Sequence, residues 1–318
     1  MLGLLTTPRR RPRIVDRAET GAEPDVLRRR FRSMGMDIVL TGPDDGERRV
    51  FDLAGDAVER TFREVDARFS RFRPDSELSR VNANAGRWQM VSAQFAHVLQ
   101  TSLDAARATG GLFDPTVLPA LVAAGYDRDY DEVRDSPGPA FEPGVPHRWR
   151  QVELDERMLY LREGAALDFG GIAKGWAVDQ ALARTTGLPW ALIDAGGDMA
   201  LGGLPPAALQ IGVADPNDPA SELARLALDA GALATSSVVG RSWGPGLHHV
   251  IDPRTWLPAR TDLLQATVWA PTCTEAEVLA TWTLLRGPRA LREVPGIVVT
   301  NDDRVLTSMP GSEVQGAC

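Results

Sequence analysis

An apolar segment, two adjacent glycines and a helix-forming segment follow one another between residues 166 and 175. The pattern predicts a strand ending at Asp168, a tight turn at Gly170-Gly171 and a helix beginning near Ala173. Lys174 is the only lysine in the chain and would lie in the first helical turn. Backbone amides and the helix dipole favour an anion such as phosphate there. The spacing matches neither the P-loop nor the Rossmann fingerprint, so a plain turn with a solvated lysine stays open beside an anion site.

The order of helices and strands predicts an α+β fold. Helical periodicity predicts helices at 51–72, 92–109, 173–186 and 274–285. Apolar runs and alternation predict strands at 31–40, within 152–169, and at 190–193, 209–213, 224–228, 231–235, 264–270, 297–300 and 304–307. Because these elements do not alternate as regular βαβ units, a doubly wound parallel sheet is disfavoured. Residues 1–28 are rich in Arg and Pro without apolar periodicity, which predicts a disordered arm before one folded domain at 29–318.

Composition excludes several classes of protein. The chain has 318 residues, 43% of them apolar, which is enough for a large buried core. A net charge of -8 argues against nucleic acid as a partner. Two cysteines do not make a disulfide framework, and no apolar run reaches the roughly 18 residues of a membrane span. The arginines near the start follow the short apolar stretch instead of preceding it, unlike a secretory signal, so we expect a cytoplasmic protein.

Glycines and acidic residues recur together where strands end, at 110–114, 168–171 and 194–198. Each cluster alone is typical of a turn, but together they indicate loops that converge on a cleft. Carboxylates and hydroxyls in such a cleft would suit Mg²⁺. Glu277 and Thr281 are spaced to share one face of the last long helix. They could equally be a capping-box glutamate paired with Thr274 and a threonine bonded back to its own helix.

Two histidines, His248 and His249, precede Asp252-Pro253. A histidine can act as a general base near neutral pH, although such a pair before a turn is often structural. The chain contains no H-E-x-x-H, paired CxxC or G-x-S-x-G motif, so zinc hydrolase and serine esterase chemistry have no support.

Eight short motifs, in order along the chain, resemble the ApbE family of FAD:protein FMN transferases, formerly labelled thiamine-biosynthesis lipoproteins. The motifs are Met34-Gly35, Phe72-Arg73-Pro74-Asp75-Ser76-Glu77-Leu78-Ser79, Gly110-Gly111-Leu112-Phe113-Asp114-Pro115-Thr116, residues 168–175 with Asp179, residues 194–198, Ala234-Thr235-Ser236, His249-Val250-Ile251-Asp252-Pro253-Arg254-Thr255 and the helix at 276–281. Any one of them is weak evidence, whereas eight in family order are specific. The resemblance implies a single T-fold-related domain of mixed, mostly antiparallel sheets packed with helices.

The resemblance also implies the reaction. FAD would be the substrate, bound with Mg²⁺ on its pyrophosphate. A threonine or serine hydroxyl of a target flavoprotein would attack the phosphorus on the FMN side, and AMP would leave. FMN would then be attached to the target through a phosphoester bond. In a transfer of this type, positioning and charge neutralisation supply most of the catalysis.

Site residues follow from the resemblance motif by motif. The residues expected to contact FAD are Met34, Phe72, Leu112, Phe113, Asp114, Asp168, Lys174 and Ile251, with Lys174 near a phosphate. The metal would be held by the backbone carbonyl of Gly171 and by the side chains of Glu277 and Thr281. His249 is the candidate base for the target hydroxyl.

Four positions depart from the family pattern. Glu277 stands where the metal carboxylate is usually an aspartate, and Phe72 stands where the flavin-stacking ring is usually a tyrosine. The segment Ser237-Val238-Val239 replaces the usual Gly-Asp-Tyr, and Trp256 replaces a glycine. Two other functions share the same features: a Mg²⁺-dependent pyrophosphatase that cleaves FAD to FMN and AMP, and a flavin-binding protein without catalysis. The transferase and the pyrophosphatase differ in what attacks FAD, a protein hydroxyl or water, and the enzyme's own sequence does not encode this acceptor.

Overall fold

Two compact units make up the chain. The computed structural model describes residues 11–15, 25–135, 148–244 and 246–311. Described residues of Glu64–Ala173 and Gly240–Arg260 form one unit, called here the insert unit. Those of Gly3–Arg63, Lys174–Val239 and Thr261–Cys318 form the other, called the sheet unit. The predicted division into an arm and one domain does not anticipate these units, because each is built from separated segments and no linker composition marks their junctions.

The elements are as follows. The helices are α1 (Arg48–Phe69), α2 (Glu77–Ala83), α3 (Ala93–Ala108), α4 (Leu118–Ala123), α5 (Tyr130–Val133), α6 (Ala173–Leu182) and α7 (Cys273–Arg286), with short 3-10 turns at Arg148–Gln151 and Pro288–Arg292. The strands are β1 (Arg13–Ile14), β2 (Val26–Ser33), β3 (Met36–Pro43), β4 (Trp88–Met90), β5 (Glu153–Asp155), β6 (Met158–Tyr160), β7 (Trp190–Ala195), β8 (Asp198–Gly203), β9 (Leu209–Ala214), β10 (Glu222–Leu228), β11 (Gly231–Ser237), β12 (Ser242–Trp243), β13 (Leu247–His248), β14 (Ile251–Asp252), β15 (Leu257–Pro258), β16 (Leu263–Ala270), β17 (Gly296–Thr300) and β18 (Val305–Thr307).

The sheet unit is organised on one eight-stranded sheet in the order β18-β17-β16-β11-β8-β7-β3-β2. Every neighbouring pair in it is antiparallel. A second, three-stranded sheet has the order β1-β10-β9 and is also antiparallel. These sheets, together with the helices, confirm the predicted α+β class with mostly antiparallel sheets.

Small side chains on the central strands let α7 lie against the sheet. Ala234 pairs with Val268, while Leu233 pairs with Trp269 on the opposite face. Leu233 and Trp269 belong to a core that also contains Leu226 of β10, so this face packs toward the three-stranded sheet. Because side chains alternate along a strand, the alanines fall on the other face, where α7 packs on β11 and β16. The sheet is therefore covered on both sides.

Part of the predicted arm is structured. Arg13 and Ile14 pair with Ala227 and Leu226 of β10, and Ile14 is 3% exposed. Strand β2 begins at Val26. The prediction of disorder is therefore wrong at these positions, because two adjacent buried residues, Ile14 and Val15, are too few to give a detectable periodicity in an Arg-rich segment. Residues 1–10 and 16–24 of the predicted arm lie outside the described residues.

The insert unit has an aromatic core. The rings of Phe69, Phe95 and Phe169 contact one another edge to face or tilted, with centroids 5.3–6.0 Å apart. A second cluster contains Tyr126, Trp243, Ile251 and Trp256. The periodicity that predicted the helix at 92–109 is confirmed by α3, whose N-cap Ser92 accepts a hydrogen bond from the Phe95 amide at 3.1 Å.

Three element boundaries differ from the prediction. The strand expected at 31–40 is a hairpin, because Met34 (φ 52°) and Gly35 (φ 71°) make a two-residue turn between β2 and β3. Helix α1 runs from Arg48 to Phe69, whereas the prediction was 51–72. The strand expected to end at Asp168 is absent, since the Leu167 amide donates to the Asn82 side chain and the Asp168 amide to the Pro115 carbonyl. The helix at Ala173 is confirmed.

No helix in the described parts of the chain is both long and apolar enough to cross a membrane.

Candidate active site

A buried ion cluster lies in the sheet unit where α6, β8 and α7 meet. The ammonium of Lys174, in the first turn of α6, donates to Oδ2 of Asp198 and to Oε1 of Glu277. The side chains of Asp198 and Glu277 are each 3% exposed, and that of Lys174 is 21% exposed. Lys174 and Glu277 are 103 residues apart in sequence. The structure therefore brings together a predicted phosphate ligand and a predicted metal ligand, and adds Asp198.

The electrostatics of this cluster keep the lysine charged. Burial opposes the charged form of Lys174, but the charges of Asp198 and Glu277 and their hydrogen bonds outweigh it and raise the pKa of the lysine. Burial is also the largest influence on Glu277 and raises its pKa, against the opposing charge of Lys174. A buried ion pair of this kind is sensitive to the loss of either partner, because the remaining charge would be left without compensation.

Backbone amides hold the two carboxylates in place. Oε2 of Glu277 accepts a hydrogen bond from the Gly175 amide at 2.7 Å, and Oδ1 of Asp198 accepts one from the Thr235 amide at 3.2 Å. Each carboxylate thus has one oxygen on the backbone and one on the lysine. The alternative role of Glu277 as a capping-box residue is wrong, because the N-cap of α7 is Thr272, which accepts from the Glu275 amide at 3.3 Å.

Asp179 fixes α6 against the start of α7. Its carboxylate accepts hydrogen bonds from the amides of Cys273 and Thr274 at 2.8 and 2.9 Å and from the Thr274 hydroxyl at 2.6 Å. Burial raises the pKa of Asp179, while these hydrogen bonds from Thr274 and Cys273 lower it in part. The aspartate therefore joins two helices whose first turns carry Lys174 and lead to Glu277.

Thr281 lies one helical turn after Glu277 on α7. Its hydroxyl is 3.0 Å from the hydroxyl of Ser236, which the strand alternation places on the face of β11 that α7 covers. The Thr281 hydroxyl thus has a hydrogen-bond partner on the sheet, whereas the alternative prediction was a bond to its own helix. A carboxylate and a hydroxyl on one helical face are oxygen donors of the kind that Mg²⁺ takes. No cluster of three or more His, Cys, Asp or Glu suited to a metal occurs among the described residues.

Arg71 organises the predicted FAD residues of the insert unit. Its Nε lies 3.0 Å from Oδ2 of Asp168, and its Nη1 donates to the Tyr126 carbonyl at 2.7 Å. The guanidinium carbon is 4.2 Å from the ring centroid of Phe72 and 4.4 Å from that of Tyr126. The remaining nitrogen, Nη2, is buried and has no hydrogen-bond partner among the residues that the structure describes. A buried N–H donor without a partner beside aromatic rings fits a planar ligand with carbonyl acceptors, such as a flavin.

Two loops of the insert unit carry the other predicted contacts. Oδ1 of Asp114 accepts hydrogen bonds from the amide and the hydroxyl of Thr116, at 2.8 and 2.5 Å. Phe113 is buried, and a Cβ added to Gly171 would lie 3.3 Å from its ring, so the Gly171 backbone passes close to that ring. Oδ1 of Asp168 accepts from the Gly170 amide at 2.7 Å. Leu112 is half-buried beside Phe113 in sequence.

The two adjacent histidines have opposite tautomers. Nε2 of His248 lies 3.0 Å from the Ala259 carbonyl, and Nδ1 of His248 accepts from the Val250 amide at 3.3 Å. Burial lowers the pKa of His248, so this histidine is neutral and structural. Nδ1 of His249 lies 3.2 Å from the Arg241 carbonyl, which can only accept. Nδ1 of His249 therefore carries the proton, and Nε2 is the basic nitrogen of its neutral ring.

The remaining predicted residues lie in different settings. Ile251 is 5% exposed and packs in the cluster with Tyr126 and Trp256. Met34 is half-buried in the turn between β2 and β3 of the sheet unit. Asp179 and Asp198 belong to the motifs without a predicted role, and Arg71 lies directly before the motif that begins at Phe72. The signal that could have marked Asp198 is its position after Gly196-Gly197, both with positive φ.

Solved structures share this fold at low sequence identity. The ApbE protein of Thermotoga maritima aligns with a TM-score of 0.76 and 23% identity, over 89% of this chain and 97% of that chain. The flavin transferase ApbE from Vibrio cholerae aligns with a TM-score of 0.70 and 22% identity, over 90% and 98% of the two chains. The fold is therefore that of the ApbE structures.

Sequence comparison then identifies the family. The profile of the ApbE family matches residues 34–295, most of the chain. The chain belongs to the ApbE family. A relative from Haemophilus influenzae, named FAD:protein FMN transferase, is 29% identical over 174 residues, which are 50% of this chain and 48% of that protein. The chain thus matches about half the length of this relative.

Proposed function

We propose that this protein is a Mg²⁺-dependent FAD:protein FMN transferase, which attaches FMN to a threonine or serine of a target flavoprotein and releases AMP. Membership of the ApbE family and the name of the Haemophilus influenzae relative support the reaction class. The observation that carries the proposal is the buried cluster in which Lys174, expected near a phosphate, donates to Glu277, expected to hold the metal, and to Asp198. A plain turn with a solvated lysine does not account for a lysine held by two buried carboxylates.

The resemblance to the family supplies the proposed binding residues. In the insert unit, Phe72, Leu112, Phe113, Asp114, Asp168 and Ile251 would contact FAD, and in the sheet unit Met34 and Lys174 would do so. The backbone carbonyl of Gly171 and the side chains of Glu277 and Thr281 would hold Mg²⁺. When bound, Mg²⁺ would neutralise charge on the phosphates of FAD. Lys174 remains protonated and adds a fixed positive charge near them.

Transfer needs one proton to be moved. The target hydroxyl oxygen forms a bond to the FMN phosphorus, and the bond from that phosphorus to the oxygen of AMP breaks. Nε2 of His249 would take the hydroxyl proton, since Nδ1 already donates to the Arg241 carbonyl. The leaving AMP carries the negative charge on its phosphate oxygens.

The test is an incubation of the purified protein with FAD and Mg²⁺, with and without a flavoprotein that carries an acceptor threonine. Release of AMP and in-gel fluorescence of the acceptor are measured together. We expect both signals, and we expect EDTA to abolish them and added Mg²⁺ to restore them. AMP without labelling would favour the pyrophosphatase, and bound FAD with neither signal would favour a flavin-binding protein.

A pair of variants of α7 sharpens this test. Glu277→Ala removes the proposed metal ligand and should abolish transfer. Glu275→Gln changes the charge of a half-buried residue two positions earlier and should leave transfer close to the wild-type rate. Equal activity of both variants would remove Glu277 from the reaction. We also expect the protein to be cytoplasmic, which cell fractionation checks.

A further inference from the structure

The ammonium of Lys174 occupies the position between Asp198 and Glu277 that a cation would take. Both carboxylates are almost fully buried, and each directs one oxygen at the same nitrogen. Their other oxygens are held by the amides of Thr235 and Gly175, so neither carboxylate is oriented by the lysine alone. The cluster is therefore a preformed acidic site that contains a positive charge supplied by the chain itself.

A metal ion at Glu277 would compete with this ammonium. The oxygen of Glu277 that accepts from Lys174 is one of the two that could ligate the metal, and the other accepts from Gly175. Two positive charges at contact distance in a buried site repel strongly. Glutamate is one methylene longer than the aspartate usual in the family. In this chain the longer side chain reaches Lys174.

Lys174 has an alternative acceptor available once a phosphate binds. An ammonium has three N–H donors, and two of them are given to Asp198 and Glu277. Its side chain is 21% exposed, and it belongs to the first turn of α6, where an anion is favoured. Asp198 would keep its bond to the lysine throughout, because a buried carboxylate without a counter-charge is costly.

We propose that Lys174 is a built-in competitor of the divalent metal, and that the metal binds tightly only when a phosphate of the dinucleotide replaces Glu277 as an acceptor of the lysine. Asp198 is then the residue that keeps Lys174 in place during the exchange. This inference rests on the proposed function, from which it takes Glu277 as a metal ligand and the diphosphate as the anion. It adds an order of events: metal alone binds weakly, and metal and diphosphate bind cooperatively.

Metal affinity without nucleotide tests the competition directly. Free Mn²⁺ is measured by electron paramagnetic resonance while the wild type, Lys174→Met and Arg304→Met are titrated with Mn²⁺ alone. Arg304 pairs with Asp302 at the surface. Arg304→Met therefore removes one positive charge, as Lys174→Met does, but outside the buried cluster. We expect Lys174→Met to bind Mn²⁺ about tenfold tighter than the wild type, and Arg304→Met to resemble the wild type. The gain should disappear in Lys174→Met/Glu277→Gln.

The single lysine provides a second test that needs no substitution. Protein labelled with ¹³C,¹⁵N-lysine gives one side-chain signal, that of Lys174, because the chain has no other lysine. We expect Mg²⁺ alone, at millimolar concentration, to leave this signal unchanged. ADP with Mg²⁺ should shift it, and ADP should raise the affinity for Mn²⁺ by the same factor by which Mn²⁺ raises that for ADP.

Two results would overturn the inference. One is a folded Lys174→Met variant that binds Mn²⁺ no more tightly than the wild type, or that keeps its gain when Glu277 is also replaced. The other is a lysine signal shifted by Mg²⁺ alone, with an affinity that ADP does not change. Both measurements are independent of transfer: an absence of FMN transfer would refute the proposed function and leave the competition between lysine and metal to be judged on these data.

Discussion

A Cβ added to Gly175 would lie 2.5 Å from the carbonyl oxygen of Cys273 and 2.8 Å from the Thr274 amide nitrogen. The first turn of α6 therefore touches the first turn of α7 through backbone alone. This contact places the Gly175 amide at hydrogen-bond distance from Glu277. Glycine is required here for space and not for an unusual backbone angle.

The first prediction concerns this contact. Gly175→Ala should lower the free energy of unfolding by about 1–3 kcal/mol, because the added methyl group meets backbone that cannot rotate away. It should also weaken metal binding, since the amide that orients Glu277 is displaced. Urea unfolding measures the first effect. Gly240→Ala is the control, because a Cβ there meets nothing within 4 Å, and it should stay within about 0.5 kcal/mol of the wild type.

The second prediction concerns Arg71. Arg71→Lys keeps the positive charge. A lysine cannot pair with Asp168, donate to the Tyr126 carbonyl and stack on Phe72 at the same time, so the affinity for FAD should fall about tenfold or more. Calorimetric titration with FAD measures this. Arg73→Lys is the matched control, because Arg73 is 45% exposed and pairs with the half-buried Asp66 and the exposed Asp75. A folded Arg71→Lys variant that binds FAD as well as Arg73→Lys does would exclude Arg71 from the flavin site.

The third prediction concerns His249. His249→Ala should bind FAD almost as the wild type does and transfer FMN about 10²-fold more slowly or worse, because the proton of the target hydroxyl loses its acceptor. Single-turnover labelling of the acceptor gives the rate. His97→Ala, at an exposed position of α3, should not alter it. Identical rates for the two variants would remove His249 from the mechanism.

Sequence patterns predicted some of these features better than others. Periodicity located α3, since helical spacing depends on neighbours along the chain. Family motifs singled out Lys174 and Glu277, but their pairing depends on a contact between residues 103 positions apart. Neither Arg71 nor Asp198 received a role, because a charged residue in a loop looks the same whether solvated or buried with a partner. The turn at Met34 was missed because methionine rarely adopts a positive φ.

Trp256 is another residue whose conformation could not be predicted from the sequence. By the resemblance it stands where the family has a glycine. It adopts a φ of 59°, a region that favours glycine, yet the residue is only 1% exposed. The sequence shows the substitution but not the angle. The structure indicates that burial of the indole in the cluster with Tyr126 and Trp243 offsets backbone strain of about 1–2 kcal/mol.

The fourth prediction follows from that strain. Trp256→Gly should be more stable than Trp256→Ala by about 1 kcal/mol, the reverse of the usual order, because both lose the indole but only glycine relieves the backbone. Thermal or urea unfolding compares them. At Trp243, which lies in β12 and is equally buried, alanine should be the better of the two. An alanine variant at least as stable as the glycine variant at 256 would contradict the assignment of strain.

The fifth prediction concerns pH. Burial would raise the pKa of Glu77, but hydrogen bonds from Ser92 and Arg68 outweigh it and hold the pKa below its usual value. A carboxylate whose pKa is lowered by folding stabilises the protein above its ordinary pKa, and this contribution is lost as the pH falls. Glu77→Gln should therefore cost about 1–3 kcal/mol at pH 7, and the difference from wild type should narrow below about pH 4.

Urea unfolding at pH 7 and pH 3.5 measures this narrowing. Asp75→Asn is the control, since Asp75 is 72% exposed and pairs with Arg73 only at the surface. The free energy of unfolding of Glu77→Gln could instead differ from that of the wild type equally at both pH values. That result would show that the destabilisation does not come from the charge of Glu77.

The pairing of β3 with β7 has a consequence for how the chain reaches this fold. Ile38 lies opposite Ala195, and the first segment of the insert unit, Glu64–Ala173, lies between these strands in the chain. During synthesis the hairpin of β2 and β3 leaves the ribosome long before its partner strand exists. Its open edge has to stay unpaired over that interval, and the sheet closes only after a long loop has been brought together. The interleaved order of the two units therefore makes the pairing of β3 with β7 slow and late. Chains truncated before Trp190 lack β7 and are at risk of aggregation.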